Sequence, residues 1–351
     1  MRKLVLMLAQ CLLLAGCTGL PQPREMGEMA LLRTVGVDAA EDGVSLTVST
    51  GPRAAGVEGE KEAPLILAGK GASLPAAAFN LGQKSDKTVF FGYADKLLLG
   101  ETPGEILDCL NWFAQDGELG LGADIWLLRD SSAAEAIESG GERGIEGRLA
   151  ALELDAELGR APMTRTAGMV YSALLDRGCA FVPALRVEEE LTSAGYGILK
   201  GKEIAGFLDG AAARGLELLA ERPAADIIEV VLRNNRVSLR VTGAQLDCRP
   251  VFEGDSLLRL ELTARVEVKG EQWQNPPSAR EREEAGERVG RVLKTDLESA
   301  LTALRGWGTD CVGIGSRAAI AAAWHSDELE ENWSVLFSAA DYLTEVEVAL
   351  N

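Results

Sequence analysis

The chain has 351 residues, 47% hydrophobic and 25% charged, which is enough apolar material for a buried core and excludes disorder over most of its length. At about 100–200 residues per domain, two or three domains are expected. Acids outnumber bases 54 to 35, a formal net charge of −19 with no local basic patch, so nucleic acid is not an expected partner.

The first 16 residues read as an export signal. Arg2 and Lys3 precede an apolar stretch from Leu4 to Ala15 broken only by Gln10. That run suits a signal peptide of about 7–15 apolar residues and is too short for a membrane span of about 20. It ends in Leu14-Ala15-Gly16-Cys17. Small residues before a cysteine give the processing peptidase access, and the Cys17 thiol accepts a diacylglyceryl group. Two acyl chains anchor stably, since each buried CH₂ contributes about 0.8 kcal/mol. An acidic body is repelled by anionic lipid, so the lipid on Cys17, and not a basic surface, must hold the protein at the membrane. Thr18 to Pro23, with Gly19, Pro21 and Pro23, reads as a short tether.

Beyond the tether, Met26 to Val37, the turn Glu41-Asp42-Gly43 and the alternating Val44, Leu46 and Val48 predict a β-hairpin. Gly56 to Gly71 reads as a loop or weak edge strand. Ser73 is placed to cap a short helix, and Lys87–Tyr93 and Lys96–Leu99 look like strands. Thr102-Pro103-Gly104-Glu105 is a capping box, with a helix behind it that puts Ile106, Cys109, Leu110 and Phe113 on one face. Ala123–Leu128 is a buried strand and Ser132–Ser139 a short helix. A helical, glycine-punctuated stretch over 140–165 leads into a helix near Thr166–Asp176. Strands are expected at Phe181–Val187 and Gly195–Leu199, a turn at Gly201-Lys202, and a helix from about Leu208 to Ala220.

Pro223 marks the expected domain boundary. Past it, Val237, Leu239 and Val241 alternate with polar residues, as do Leu258, Leu260, Leu262, Ala264, Val266 and Val268. Such strands belong to a sheet covered on one side and wet on the other. Arg280–Leu304 is a long amphipathic helix with Val289, Leu293, Leu297, Leu301 and Leu304 in register and Gly306 behind it. Thr344–Leu350 returns to period two. The chain thus divides into a signal peptide (1–16), a lipid-anchored tether (17–23), an N-terminal α/β region with room for two subdomains (24–222), and a C-terminal domain (223–351). The fold class is mixed α/β and α+β, the last domain being an antiparallel sheet packed with a long helix.

Candidate chemistry is sparse. Gly117-x-x-Gly120-x-Gly122 and Gly313-x-Gly315 are glycine-rich, but neither is read as following a strand and opening a helix, as a phosphate loop must, so both read as turns. The acidic clusters Glu188–Glu190 and Glu281–Glu284 read as solvated faces. His325 is the only histidine and reads as a packing or surface residue, which leaves little room for a Ser–His–Asp triad or a His-based metal site. Cys109, Cys179, Cys248 and Cys311 are widely separated with no CxxC pair. They allow three disulfide pairings, but buried free thiols are the simpler expectation. No catalytic residue, metal or cofactor is expected.

The order of motifs resembles that of the Ger(x)C lipoprotein family, the C subunits of spore germinant receptors. After Cys17 come Arg24-Glu25-Met26 and Val35-Gly36-Val37-Asp38, similar to the family's opening. Val89 to Tyr93, the segment from Ile106 to Glu135, Phe181-Val182-Pro183 with Gly195 to Leu208, Asp310 to Gly315, Trp333 to Phe337 and Glu345 to Val348 are similar to its later elements. The family's Trp-Asp after the lipid cysteine is Thr18-Gly19 here, and its histidine after Phe-Gly is replaced by Tyr93-Ala94. The resemblance implies a three-domain α/β fold, no enzymatic activity, and assembly with A-type and B-type polytopic subunits in the inner spore membrane. The competing expectation is a lipid-anchored solute-binding protein of a transporter. Its two-lobed, aromatic-lined cleft fits poorly with 5% aromatic residues.

Overall fold

The computed structural model describes residues 28–55, 60–101, 106–116, 118–223, 227–233, 235–254 and 256–351. Cys17, the tether and the Thr102–Glu105 capping box lie outside them. In chain order the elements are β1 (Met29–Leu31), β2 (Thr34–Ala40), β3 (Gly43–Ser49), β4 (Arg53–Ala55), β5 (Glu60–Glu62), β6 (Ile66–Gly71), α1 (Leu74–Gly82), β7 (Thr88–Phe90), β8 (Lys96–Leu99), α2 (Ile106–Gln115) and β9 (Asp124–Leu128). There follow α3 (Ala133–Ser139), α4 (Glu146–Glu157), α5 (Ala167–Arg177), β10 (Cys179–Val187), β11 (Leu191–Lys200), β12 (Glu203–Leu208) and α6 (Gly210–Leu219). Past Pro223 come β13 (Ile227–Val231), β14 (Arg236–Glu253), β15 (Ser256–Trp273), α7 (Ala279–Trp307), α8 (Ile314–Ala321), α9 (Ser326–Ala339) and β16 (Asp341–Leu350).

The first sheet has eight strands in the order β12-β11-β10-β9-β8-β2-β3-β6. Its four central strands, β10, β9, β8 and β2, run parallel, and an antiparallel pair extends it on either side. Parallel neighbours need crossover connections. Here α2 links β8 to β9, and α3 to α5 link β9 to β10. Leu97, Leu99, Ile125 and Leu127 pack on one face with residues of α1, α2 and α5, including Leu81, Phe113 and Val170. Leu98, Trp126 and Leu128 pack on the other against Ile137 of α3 and Leu149 of α4. Burial on both faces explains why β8 and β9 read as continuous apolar runs.

The hairpin expected near residue 42 is β2–β3, with Ala40 opposite Gly43 and Glu41-Asp42 as its two-residue turn. Gly43 has φ +139°, and a Cβ there would meet the Gly71 carbonyl oxygen at 2.3 Å, so the strand must begin with glycine. Ser73 caps α1 as expected, its hydroxyl accepting from the Ala76 amide. Ser132 and Glu135 form a reciprocal capping box on α3. Several boundaries differ from the sequence reading, two of them in the first sheet's surroundings. Leu208 pairs with Tyr196 in the sheet and so ends β12, and the helix starts at Gly210. The strand expected over Lys87–Tyr93 shrinks to β7, three residues paired in parallel with β1.

The second sheet has the order β13-β14-β15-β16. It is antiparallel over its first three strands, as expected, but β16 joins β15 in parallel, Arg259 opposite Asp341 through Val268 opposite Leu350. Period two cannot signal direction, and the chain arrives at β16 from α9 rather than from a hairpin. Leu260, Leu262, Ala264, Val266 and Val268 are buried beneath α7, whereas Leu258 continues the alternation past the covered region and is exposed. The long helix holds the expected leucine stripe, each such side chain contributing about 1.5–3 kcal/mol by burial. It starts in a Ser278–Glu281 capping box and ends at Gly308 in the left-handed region, two residues beyond the glycine expected as its stop.

The two sheets share one core. A single buried cluster takes Phe181, Tyr196 and Ile198 from the first sheet, Leu216 and Leu219 from α6, the covered face of the second sheet, and Leu293 and Leu297 from α7. The Tyr196 hydroxyl donates to Glu217 Oε1 at 2.8 Å and accepts from the Met163 amide at 2.8 Å. Helices α6 and α7 cross at Gly215, where a Cβ would lie 2.0 Å from the Asp296 carbonyl oxygen. Beside the crossing, Arg214 Nε pairs with the buried Asp296 carboxylate at 2.7 Å. Glycine inside a helix costs about 1 kcal/mol relative to alanine, so its presence reflects this close approach. Gly215→Val should therefore force the helices apart and cost about 1–3 kcal/mol or more, read as a lower urea midpoint. An unchanged midpoint would contradict the crossing.

Candidate functional site

Of the sequence-singled residues, Cys17 and Gly117 lie outside the described residues. Gly120 and Gly122 form the approach to β9 and hold no other chemistry. His325 stacks on Phe252 with centroids 3.9 Å apart and planes 15° from parallel, the packing role expected of it. Glu281 is spent on the α7 capping box, where the Ser278 amide and hydroxyl hold its carboxyl below the usual range. Cys109, Cys179, Cys248 and Cys311 are free thiols. Burial pushes Cys109 up to about 12, Cys248 up to about 12 and Cys179 up to about 11, so all three are protonated at neutral pH.

The second glycine motif corrects the sequence reading. Gly313-Ile314-Gly315 does open a helix, α8, although it follows a helix and not a strand. The exposed amides of such a turn form an anion-binding nest. Here the anion is part of the chain. Asp310 Oδ1 accepts from the Gly313 amide at 2.9 Å and the Ile314 amide at 2.8 Å. Its Oδ2 accepts from the Gly315 amide at 2.7 Å and from Trp333 Nε1 at 2.8 Å. Gly313 sits at φ +79°, and a Cβ on Gly315 would meet the Trp333 ring at 2.5 Å. Both glycines are therefore required by geometry, one by its φ and one by the indole. The carboxylate fills the place a phosphate would take.

Asp310 borders a cleft of about 920 Å³. One wall is the end of α5 and the start of β10, with Arg177 and Cys179, joined by Lys200 at the end of β11. The other is α8 and α9, with Ala319, Ile320, Leu329 and Phe337. Lys200 Nζ donates to the Trp307 carbonyl at 2.7 Å, a cation at the C-terminus of α7, where the helix dipole favours it. Arg305 holds the far end of α9, donating to the Ser338 and Ala340 carbonyls at 3.1 and 2.8 Å with its guanidinium 4.6 Å from the Tyr342 ring centre. Burial, reinforced by the Asp310 charge, raises the Tyr342 hydroxyl above its ordinary range.

A second titratable cluster lies at the N-terminal ends of β8 and β9. Lys96 is buried on β8 with its ammonium 2.5 Å from Glu153 and 3.8 Å from both Asp95 and Asp124. Burial and the Glu153 charge push Asp124 up to about 6 against the opposing pull of Lys96. The cluster ties α4 to the N-terminal ends of the strands. Ligands of open α/β sheets bind at the other, C-terminal ends, so the geometry there is that of an ion network joining elements.

A large mixed sheet sharing its core with a small sheet under a long helix defines the class: a two-sheet α/β protein. Two family profiles match in tandem, one described as "Spore germination protein N-terminal domain" over residues 22–187 and one as "Spore germination B3/ GerAC like, C-terminal" over residues 194–351. The chain belongs to this GerAC-like family of spore germination proteins, the family its motif order resembles. Its fold is similar to a solved structure described as the crystal structure of the GerBC protein, with a TM-score of 0.60 at 16% identity over 90% of this chain and 96% of that one. Among curated proteins, none matches the sequence.

Asp310 to Gly315 and Trp333 to Phe337 both stand among the elements similar to the family's, but nothing in their spacing brings them together. An aspartate three residues before Gly-x-Gly at a helix start was the available signal for the first half of the contact. The tryptophan's arrival depends on the α8–α9 fold. Removal of the carboxylate should leave three buried amides and the half-buried Trp333 indole N–H without a partner, each buried donor costing about 1–3 kcal/mol. Asp310→Ala is therefore expected to lower stability by at least about 3 kcal/mol and shift Trp333 fluorescence to the red. Asp310→Asn, which keeps one acceptor oxygen, should lie between the two. Wild-type stability in Asp310→Ala would overturn the assignment.

Proposed function

We propose that the chain is the lipid-anchored C subunit of a spore germinant receptor, acting by contact with A-type and B-type polytopic subunits in nutrient-triggered germination. The observation that carries this reading is the tandem family match, 22–187 followed by 194–351, which covers nearly the whole chain. The likeness to GerBC across both sheets supports it at the level of fold. Attachment falls to Cys17 in the Leu14-Ala15-Gly16-Cys17 box, with the body on the outer face of the inner spore membrane. Among the described residues no helix is long and apolar enough to cross a membrane.

The groups around the cleft favour contact over chemistry. The Asp310 carboxylate is committed to four donors, Lys200 is hydrogen-bonded to the end of α7, and Cys179 is held protonated. A subunit of this kind acts through the difference in its contact energy between resting and signalling assemblies, about 1–3 kcal/mol for an ordinary coupling. Its acidic body suits basic loops on the partners, through contacts that weaken as salt rises.

Isolation from spore membranes after mild crosslinking tests the reading. Two polytopic proteins are expected to accompany the chain, and Cys17→Ala should abolish lipid labelling and release the body from the membrane. Co-isolation with a transporter permease, or tight stoichiometric binding of a small solute by the chain, would reject it in favour of a solute-binding protein. Unchanged membrane retention of Cys17→Ala would reject the anchor.

A further inference from the structure

The turn between α8 and α9 carries the two most exposed large apolar side chains of the described residues, Trp324 at 92% and Ile320 at 81%. Ala321 and Ala323 beside them are exposed as well. This is not a loosely held loop. Ala322 is buried and its amide donates to the Ala318 carbonyl at 2.9 Å, while its own carbonyl accepts from the His325 amide at 2.9 Å. The imidazole next to Trp324 is stacked on Phe252 of β14. At the base of the hairpin, Asp310 ties the start of α8 to Trp333 of α9. A rigid turn thus projects an indole and a branched aliphatic chain into solvent, the arrangement of an interface anchor.

Charge decides which partner it suits. The first turns of α9 read Asp327-Glu328-Leu329-Glu330-Glu331, four acids in five positions, with Asp327 and Glu331 exposed and Leu329 buried. The one Arg or Lys of the hairpin, Arg317, is paired with Glu221 at 2.6 Å. Of the two cations on the far wall of the cleft, Lys200 donates to the Trp307 carbonyl and Arg177 adjoins Asp176. An acidic rim disfavours an anionic bilayer surface, which would otherwise welcome a tryptophan at its interface. It equally disfavours a second copy of this chain, whose net charge is −19. It favours a protein segment carrying basic residues around an apolar one. The 920 Å³ cleft continues from Ile320 past Ala319 to Leu329 and Phe337, and offers that apolar residue a lined pocket.

We propose that the Ile320–Trp324 turn and the cleft beside it are the docking surface for a protein segment that presents basic residues around an apolar side chain. The inference rests on the receptor-subunit reading and adds to it where, and by what chemistry, the partner is held. The test uses the full-length lipoprotein in its own membrane, with p-benzoyl-phenylalanine replacing Trp324 in one version and the exposed Phe79 of α1 in another. Irradiation is expected to join position 324 to a polytopic protein, in a peptide holding at least two Lys or Arg, with little product from position 79. In the doubly substituted Asp327→Lys, Glu331→Lys protein the yield at 324 should fall by about tenfold, the loss expected when a complementary rim becomes repulsive. Crosslinks from 324 to lipid, to a second copy, or to nothing would overturn the proposal, as would equal yields from both positions or no effect of charge reversal. Continued co-isolation of the unsubstituted chain with polytopic subunits in those cases would leave the receptor reading standing. Absence of that co-isolation would remove both.

Discussion

The carboxylate of Asp310 stands where a helix terminus would otherwise face solvent or a bound anion. Three backbone amides and one indole N–H converge on its two oxygens at 2.7–2.9 Å. Hydrogen bonds to a charged group contribute about 1.5–3 kcal/mol each, so this one side chain outweighs most individual packing contacts around it. It also fixes direction. The chain leaves α7 at Gly308, turns through Gly313 and enters α8 on a single course, and α9 must return so that Trp333 reaches the same oxygen. Ile320 and Trp324 are exposed at the far end of the hairpin because its near end is held in this way.

Beneath the hairpin the molecule is continuous. The antiparallel end of the large sheet, the pair of helices on either side of Pro223 and the small sheet contribute to one buried cluster. Close helix crossing at Gly215, the Tyr196–Glu217 hydrogen bond and the Arg214–Asp296 ion pair lie along the same seam. Interiors packed to this density are stiff and transmit strain. The α8–α9 hairpin and the edge of the large sheet thus share one packed core.

The sequence was most legible where the determinants are local. The Ser132–Glu135 and Ser278–Glu281 capping boxes, the leucine stripe of α7 and the alternation along β15 all depend on residues within a few positions of each other. Legibility failed where a distant partner decides. Leu208 belongs to a strand because Tyr196 lies opposite, β16 runs parallel because α9 delivers it to that end of β15, and the helix passes Gly306 because the left-handed stop falls at Gly308. The glycines at 313 and 315 announce a turn, but only the fold shows that Asp310 and Trp333 make them necessary. Family membership was legible from the order of weak motifs, since order survives where the residues themselves have drifted.

The contact surface proposed for Ile320 and Trp324 requires a rigid hairpin, keyed by the internal anion. Amide hydrogen exchange measures this directly. The amides of Gly313, Ile314 and Gly315 sit in the first turn of a surface helix, a position that ordinarily exchanges early through local fraying. Held by Asp310, they should exchange as slowly as the Leu262 amide in the centre of the small sheet, through global unfolding alone. Exchange at the rate of the Ala321 amide, in the last turn of α8, would show a hairpin that opens independently, and would contradict the account.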